Sequence, residues 1–316
     1  MRMFNKKALL WPLGALSTFA IVQVLISLNI ISSFYEITIA MICINIILAV
    51  SLNLVTGFTG QLSLGHAGFM SIGAYVCALI NMQMNSTAGF LLGTLAGAII
   101  AALVGIIIGV PTLRLRGDYL AIATLGMAEI IRVIFLNLEI TNGAAGLNGI
   151  PRFTNWLWMF VFTMLTIILI RNFIRSSHGR ACIAIREDEI AAEAMGVNTT
   201  KYKVIAFAIG AFFAGVAGAL YSSYFYFIKP DLFGFLKSID ILVIVVLGGL
   251  GSVSGSIIAA VLLGVLTTFL QSFTELRMII YALLLVIIMI FRPSGLLGTK
   301  EITELIKFRK KDRRID

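Results

Sequence analysis

The strongest constraint in this sequence is the recurrence of apolar runs long enough to cross a lipid bilayer. A hydrocarbon core about 30 Å thick needs roughly 20 apolar residues for each helical crossing. Runs of this kind cover about 8–30, 37–56, 68–84, 88–110, 118–138, 153–173, 203–227, 238–250, 254–273 and 275–292. The eighth is short and the third begins in a glycine-rich stretch. The expected fold is therefore an all-α polytopic membrane protein with about 8–10 transmembrane helices and Gly-broken segments. Composition agrees, because 59% of the 316 residues are hydrophobic and only 12% are charged, against about 25% charged in an ordinary soluble domain. That leaves no room for a soluble catalytic domain.

Charge then sets the topology. Of the 24 Lys and Arg residues, nineteen fall on one side if the N-terminus is inside. They are Arg2, Lys6 and Lys7; Arg114 and Arg116; the six from Arg171 to Lys203; and the eight from Arg292 onward. Arg152, Lys229, Lys237 and Arg277 fall outside, and Arg132 lies within a run. The positive-inside rule gives an N-in/C-in arrangement. The net charge of +9 is then a topology signal, and no nucleic-acid partner is expected. The basic opening "MRMFNKKALLWPLGALSTFA" runs on in apolar residues to about Phe34 without a small-residue cleavage site, so it reads as an uncleaved first span.

Two stretches interrupt the apolar pattern. "VTGFTGQLSLGHAGFMSIGAY", Val55 to Tyr75, carries Gly57, Gly60, Gln61, Ser63, Gly65 and His66 within ten residues. Each glycine in a helix interior costs about 1 kcal/mol relative to alanine, so a helix break is expected. "GGLGSVSGS", Gly248 to Ser256, repeats the theme late in the chain. Paired glycine-interrupted segments point to a transport site near the midplane. Close packing of helices against small residues is the competing explanation. On the first reading the translocation pathway comprises Asn53, Gly57, Gly60, Gln61, Ser63, Gly65, His66, Gly248 and Gly251.

Other polar residues read as structural. Asn45 is expected to pack, and His66, with no carboxylate or thiol nearby in sequence, reads as a buried hydrogen-bonded residue that holds the break together, the alternative being a proton carrier. Gly210, Ala214 and Gly218, beside Ala211, Gly215 and Ala219, form ridges for helix packing. Glu129 and Arg132 can pair at i and i+3, as a structural ion pair or a contact to a partner subunit, with direct substrate contact the lesser alternative. "TNGAAGLNGIP", Thr141 to Pro151, lies outside and suits either a gate or docking surface, through Asn142 and Asn148, or a plain turn. Cys43, Cys77, Cys182, His66 and His178 show no metal-ligand spacing, so neither a metal nor a cofactor is expected.

The one sizeable polar segment, Arg171 to Lys203, falls on the basic, cytoplasmic side. Its middle, Ala181 to Met195, lacks Gly and Pro and stops at Gly196, which predicts one short amphipathic helix. Ile183, Ile190 and Ala194 would share a face, and the bland alternative is a connector resting on the lipid headgroups.

"SLNLVTGFTGQLSLGHAGFMSIGAY", "RLRGDYLAIATLGMAEIIR", "TNGAAGLNGI" and "GRACIAIREDEIAAEAMGVNTTKYKVIAFAIGAFFAGVAGALY" occur here in order. Together they resemble LivM-type permease subunits of bacterial branched-chain amino acid ABC importers. The resemblance covers about Ser51 to Pro293. It implies a multi-pass protein of the bacterial inner membrane, with a LivH-like permease subunit, two cytoplasmic ATP-binding subunits and a periplasmic substrate-binding protein as partners. It implies three regions: 1–34 as tail and first span, 35–299 as the permease domain with a coupling loop at about 174–202, and 300–316 as a basic cytoplasmic tail. Such permeases carry a Glu-Ala-Ala segment, then three further residues, then Gly. Ala191, Ala192 and Gly196 match, whereas Ile190 stands at the glutamate position and Glu189 comes one residue early. Ala191, Ala192, Met195 and Gly196 would seat in the ATPase, with Arg186, Glu187, Asp188 and Glu189 at the rim.

The chain has no Gly-x-x-x-x-Gly-Lys-Ser/Thr phosphate loop, so it is not read as the ATPase or as an enzyme. The resemblance implies translocation of leucine, isoleucine and valine. Urea, amides or other amino acids are the cargo of related permeases. A stand-alone secondary transporter or channel would account for the glycine breaks without needing a docking loop.

Overall fold

The structure, a computed structural model, describes residues 32–270 together with 19, 22–24, 28, 280, 283, 286, 290–291 and 295–298. The runs expected at 8–30 and 275–292 lie largely outside the described residues, as does the tail from 300. In chain order the helices are α1 (Ser33–Asn53), α2 (His66–Met84), α3 (Thr87–Thr112), α4 (Asp118–Asn137) and α5 (Trp156–Arg175). They continue with α6 (Ser177–Glu187), α7 (Glu189–Ala194), α8 (Thr199–Phe225), α9 (Phe235–Gly248) and α10 (Val253–Phe269). Among the described residues, six are long and apolar enough to span a membrane: α1 with its continuation to Phe58, α2, α3, α4, α5 and α8.

The eighth and ninth runs form shorter helices. α9 has 14 residues and α10 has 17. At 1.5 Å per residue they rise about 21 and 25 Å, short of a full crossing. They pack on each other and on α1 as a hairpin bent at the second glycine break.

The second half of α1 is enclosed, with Ile44, Ile47, Leu48, Val50 and Leu52 sealed from solvent. α1 is packed by α5, α8, α9 and α10. Beside it α2, α3 and α8 make the closest-packed part of the bundle. The reason is backbone proximity: a β-carbon at Gly97 would stand 2.9 Å from the Gly73 carbonyl oxygen, and one at Gly215 3.0 Å from Ala98 Cα. The small-residue ridges of α8 thus serve packing. Outward, α3 shows a row of exposed apolar side chains, Leu92, Leu95, Ile99, Ile106 and Ile107, as a helix in lipid does.

The loop beyond α4 is ordered. Thr141 Oγ1 donates to the Phe135 and Leu138 carbonyls, and Asn142, in the left-handed region at φ 56°, donates to the Gly146 carbonyl at 3.1 Å. β1 (Leu147–Asn148) pairs antiparallel with β2 (Phe227–Ile228), which ties this loop to the end of α8.

Candidate translocation site and coupling surface

The expected helix break exists and spans the end of α1 to the start of α2. α1 closes in a π-helical turn, Leu54–Phe58, a feature frequent at functional sites. Gly60 then takes φ +74° and turns the chain out of helical geometry. In lipid the freed backbone groups need partners, and they find them. Thr56 and Thr59 hydroxyls donate to the Leu52 and Leu54 carbonyls, and the Gln61 N–H donates to the Val55 carbonyl. Further on, the N–H groups of Leu64, Gly65 and Ala67 donate to the hydroxyls of Thr124, Ser63 and Ser238. His66 opens α2, with Nε2 2.8 Å from Ser51 Oγ. Ser51 lies six residues before Gly57, about 9 Å back along α1. The break therefore folds inward along its own helix, with His66 as the bracket. Gln61 differs from its neighbours: it is 3% exposed, yet neither its amide nitrogen nor its oxygen has a partner.

The second break meets the first. Gly249 and Gly251 adopt φ +113° and +87°, and Ser252 Oγ accepts the Gly255 N–H to start α10. Asn53 joins the two: its Oδ1 accepts the Gly251 N–H at 2.9 Å, and its Nδ2 donates to the Ser252 carbonyl at 2.9 Å and to Ser256 Oγ at 2.7 Å. A β-carbon at Gly57 would overlap the Gly251 backbone nitrogen. Gly248 has a packing role, since a β-carbon there would stand 2.6 Å from the backbone of Gly255. Gly65 likewise lets α2 approach the Thr124 carbonyl on α4. Asn53, Gly57 and Gly251 are thus in one cluster, with Gln61, Ser63 and His66 leading inward from it.

The polar segment folds onto this same end of the bundle, as an elbow of two helices. The single helix expected over 181–195 is divided at Asp188, which is extended (φ −156°) and whose Oδ1 accepts the N–H groups of Ile190 and Ala191. That cap begins α7 afresh and turns its faces. Cys182 and Ile185 are the buried side of α6, where burial pushes the Cys182 thiol up and makes it a packing group. On α7, Ala192 is only 6% exposed and faces its own chain, whereas Ile190 and Met195 are 70% and 85% exposed. Ala191, Glu193, Ala194 and Gly196 are exposed as well.

The charged residues beside it are engaged within the chain. Glu189 accepts from Lys203 Nζ at 2.6 Å and lies 3.7 Å from Arg116 Nε, while Arg186 holds Glu187 and reaches back to the Gly57 carbonyl. Of the four charges expected at a rim, Asp188 is spent on the cap and Glu189 on the bracing of α7 to α8.

Three participants escaped the sequence reading. Lys237, counted as an outside residue, lies on α9 and donates to Asn45 Oδ1 at 3.2 Å. Its signal was present: Lys237 and Asp240 are charges three apart within an apolar run, and such residues in membranes pair or face water. Asp231 adds a second carboxylate to the expected Glu129–Arg132 pair, 3.2 Å from Arg132 Nη1. Arg152 stacks over the Tyr224 ring at 4.6 Å. It borders a cavity of about 580 Å³ that also takes in Glu36 and Trp156, and no candidate pathway residue lines it.

Membrane-length helices, two interrupted segments joined at one end of the bundle, and a braced elbow set on the junction define a polytopic transport permease. The chain belongs to the family described as branched-chain amino acid transport system / permease component, which matches residues 34–289. It is 39% identical to the high-affinity branched-chain amino acid transport system permease protein LivM of Salmonella typhimurium, over 81% of this chain and 68% of that protein. Identity to LivM of Escherichia coli K12 is also 39%, over 80% and 68%. LivH of Salmonella typhimurium is 28% identical over 82% of this chain and 92% of its own length. No solved structure matches the chain.

Proposed function

We propose that this chain is the LivM-type membrane subunit of an ATP-driven importer, moving leucine, isoleucine or valine delivered by a periplasmic binding protein. It would pair with a LivH-like permease and receive its energy from two cytoplasmic ATP-binding subunits. Both termini would be cytoplasmic, the permease domain would run over 35–299, and the elbow at about 174–202 would be the docking element. The observation that carries this reading is the tip of α7. Two large apolar side chains, Ile190 and Met195, stand in the open beside Ala191 and Ala194, on a helix braced from behind by Glu189 and Lys203.

An exposed apolar tip outside the membrane-length helices suits an interaction surface, and a stand-alone channel has no use for one. Glycine-broken backbone is tolerated at membrane depth only against protein or a watery cavity, and the unpartnered Gln61 amide supports the cavity. The deciding experiment is purification from the native membrane followed by reconstitution with binding protein. Co-purifying ATP-binding subunits and a second permease, with ATP-dependent leucine uptake, are expected. A chain that purifies alone and conducts without ATP would overturn the proposal.

A further inference from the structure

The elbow and both glycine breaks meet in one side chain. Arg186 lies one residue before the end of α6, and its guanidinium turns away from the exposed tip. Nη1 donates to the Gly57 carbonyl at 2.9 Å, across 129 residues of sequence. Nε and Nη2 pair with Glu187. The stem lies over Gly60, where a β-carbon would stand 3.1 Å from Arg186 Cγ. The tip abuts the second break, since a β-carbon at Gly251 would stand 2.6 Å from the same Nη1. Glycine at 60 and 251 is what leaves room for it.

The mechanical consequence follows from the neighbours. Asp188, two residues on, caps α7, so the tip and Arg186 are joined through one short capped stretch. On the far side of the contact, Asn53 fixes Gly251 to α1. The atoms Arg186 touches belong to a π-helical turn and a positive-φ bend, the parts of these membrane helices least constrained by regular hydrogen bonding. Coupling between distant sites works through an element able to take two arrangements that both sites bias. Here the contact is a charge-assisted hydrogen bond whose acceptor is a carbonyl of the turn itself.

We propose that Arg186 is the positioning residue that passes movement of the α7 tip to both glycine breaks at once. This rests on the reading of α7 as the ATPase-docking tip. Displacing the tip would withdraw or drive the guanidinium, and the Gly57 and Gly251 segments would move together because Asn53 joins them. Arg186 therefore governs how much transport each ATP produces, with ATPase docking left to the exposed residues of α7.

The test uses the full complex reconstituted with its binding protein. It compares Arg186→Met, which keeps the stem over Gly60 but cannot donate, with Arg186→Lys, which retains a donor for the Gly57 carbonyl. Assembly, ATP hydrolysis and uptake are measured together. With methionine, assembly and hydrolysis should stay within about twofold of wild type, while uptake per ATP falls at least tenfold. Lysine should restore uptake per ATP to within about threefold.

Three outcomes would overturn the proposal. These are wild-type uptake per ATP with methionine, equal losses with methionine and lysine, and loss of ATPase association with methionine. A wild-type complex without ATP-driven uptake would sink the permease reading itself, which keeps the two failures apart.

Discussion

The side-chain oxygen of Asn53 accepts the backbone N–H of Gly251 at 2.9 Å, bridging segments 198 residues apart in sequence. With its amide donating to Ser252 and Ser256, Asn53 satisfies the bend between α9 and α10 as no aliphatic residue could. Replacing it with alanine strands buried groups that have no water to turn to, at about 1–3 kcal/mol for each one left without a partner. Asn53→Ala should lower the thermal midpoint in detergent by several degrees and reduce uptake. A midpoint unchanged from wild type would mean the two breaks are held by packing alone.

The alanines of the elbow should behave in opposite ways. Ala192 is buried against its own chain and Ala191 is open. Arginine at 192 has no space, so Ala192→Arg should cut the amount of folded protein in the membrane. Ala191→Arg should leave membrane levels normal while association with ATP-binding subunits and uptake are lost. Normal uptake by the 191 variant would make α7 a mere connector.

Topology can be read at the same tip. Cys182 is sealed from solvent and its thiol is pushed up by burial, so little thiolate is present near neutral pH and labelling should be poor from either side. Met195→Cys places a thiol at an exposed position. A membrane-impermeant maleimide should label it in inverted vesicles and leave it untouched in intact cells. Labelling from the outside would reverse the N-in/C-in assignment.

Ser63 tests whether the inward leg of the first break faces the cargo. It is buried in this structure, as are Cys43, Cys77 and Cys182. In a background with those three cysteines replaced, Ser63→Cys should react slowly at rest with a small water-soluble thiol reagent. Addition of ATP and loaded binding protein should accelerate the reaction at least severalfold. A thiol equally inert in every state would assign the break to packing.

Much of this protein was legible from local chemistry. The length of apolar runs specified membrane helices, because the bilayer sets one thickness for every crossing. Glycine clusters specified where a helix breaks, and Glu129–Arg132 specified an ion pair, because both effects act within a few residues. Motif order carried the family. The small-residue ridges of α8 read as packing, and packing is what Gly215 does against Ala98.

What the sequence left undetermined depends on which segments come together. A glycine serving a bend and a glycine serving close approach look alike in sequence, and only the fold separates Gly251, with its positive φ, from Gly248, pressed on Gly255. Helical periodicity placed Ile190 on a shared face with Ile183. A single side-chain cap at Asp188 ended that periodicity and turned Ile190 outward. The Gly251 N–H held by Asn53, the Gly57 carbonyl reached by Arg186 and the Asn45 amide reached by Lys237 lie more than a hundred residues away. A buried polar group must find a partner somewhere, but no local rule names which one. That choice belonged to the tertiary packing, which brought two distant breaks and one arginine to the same end of the bundle.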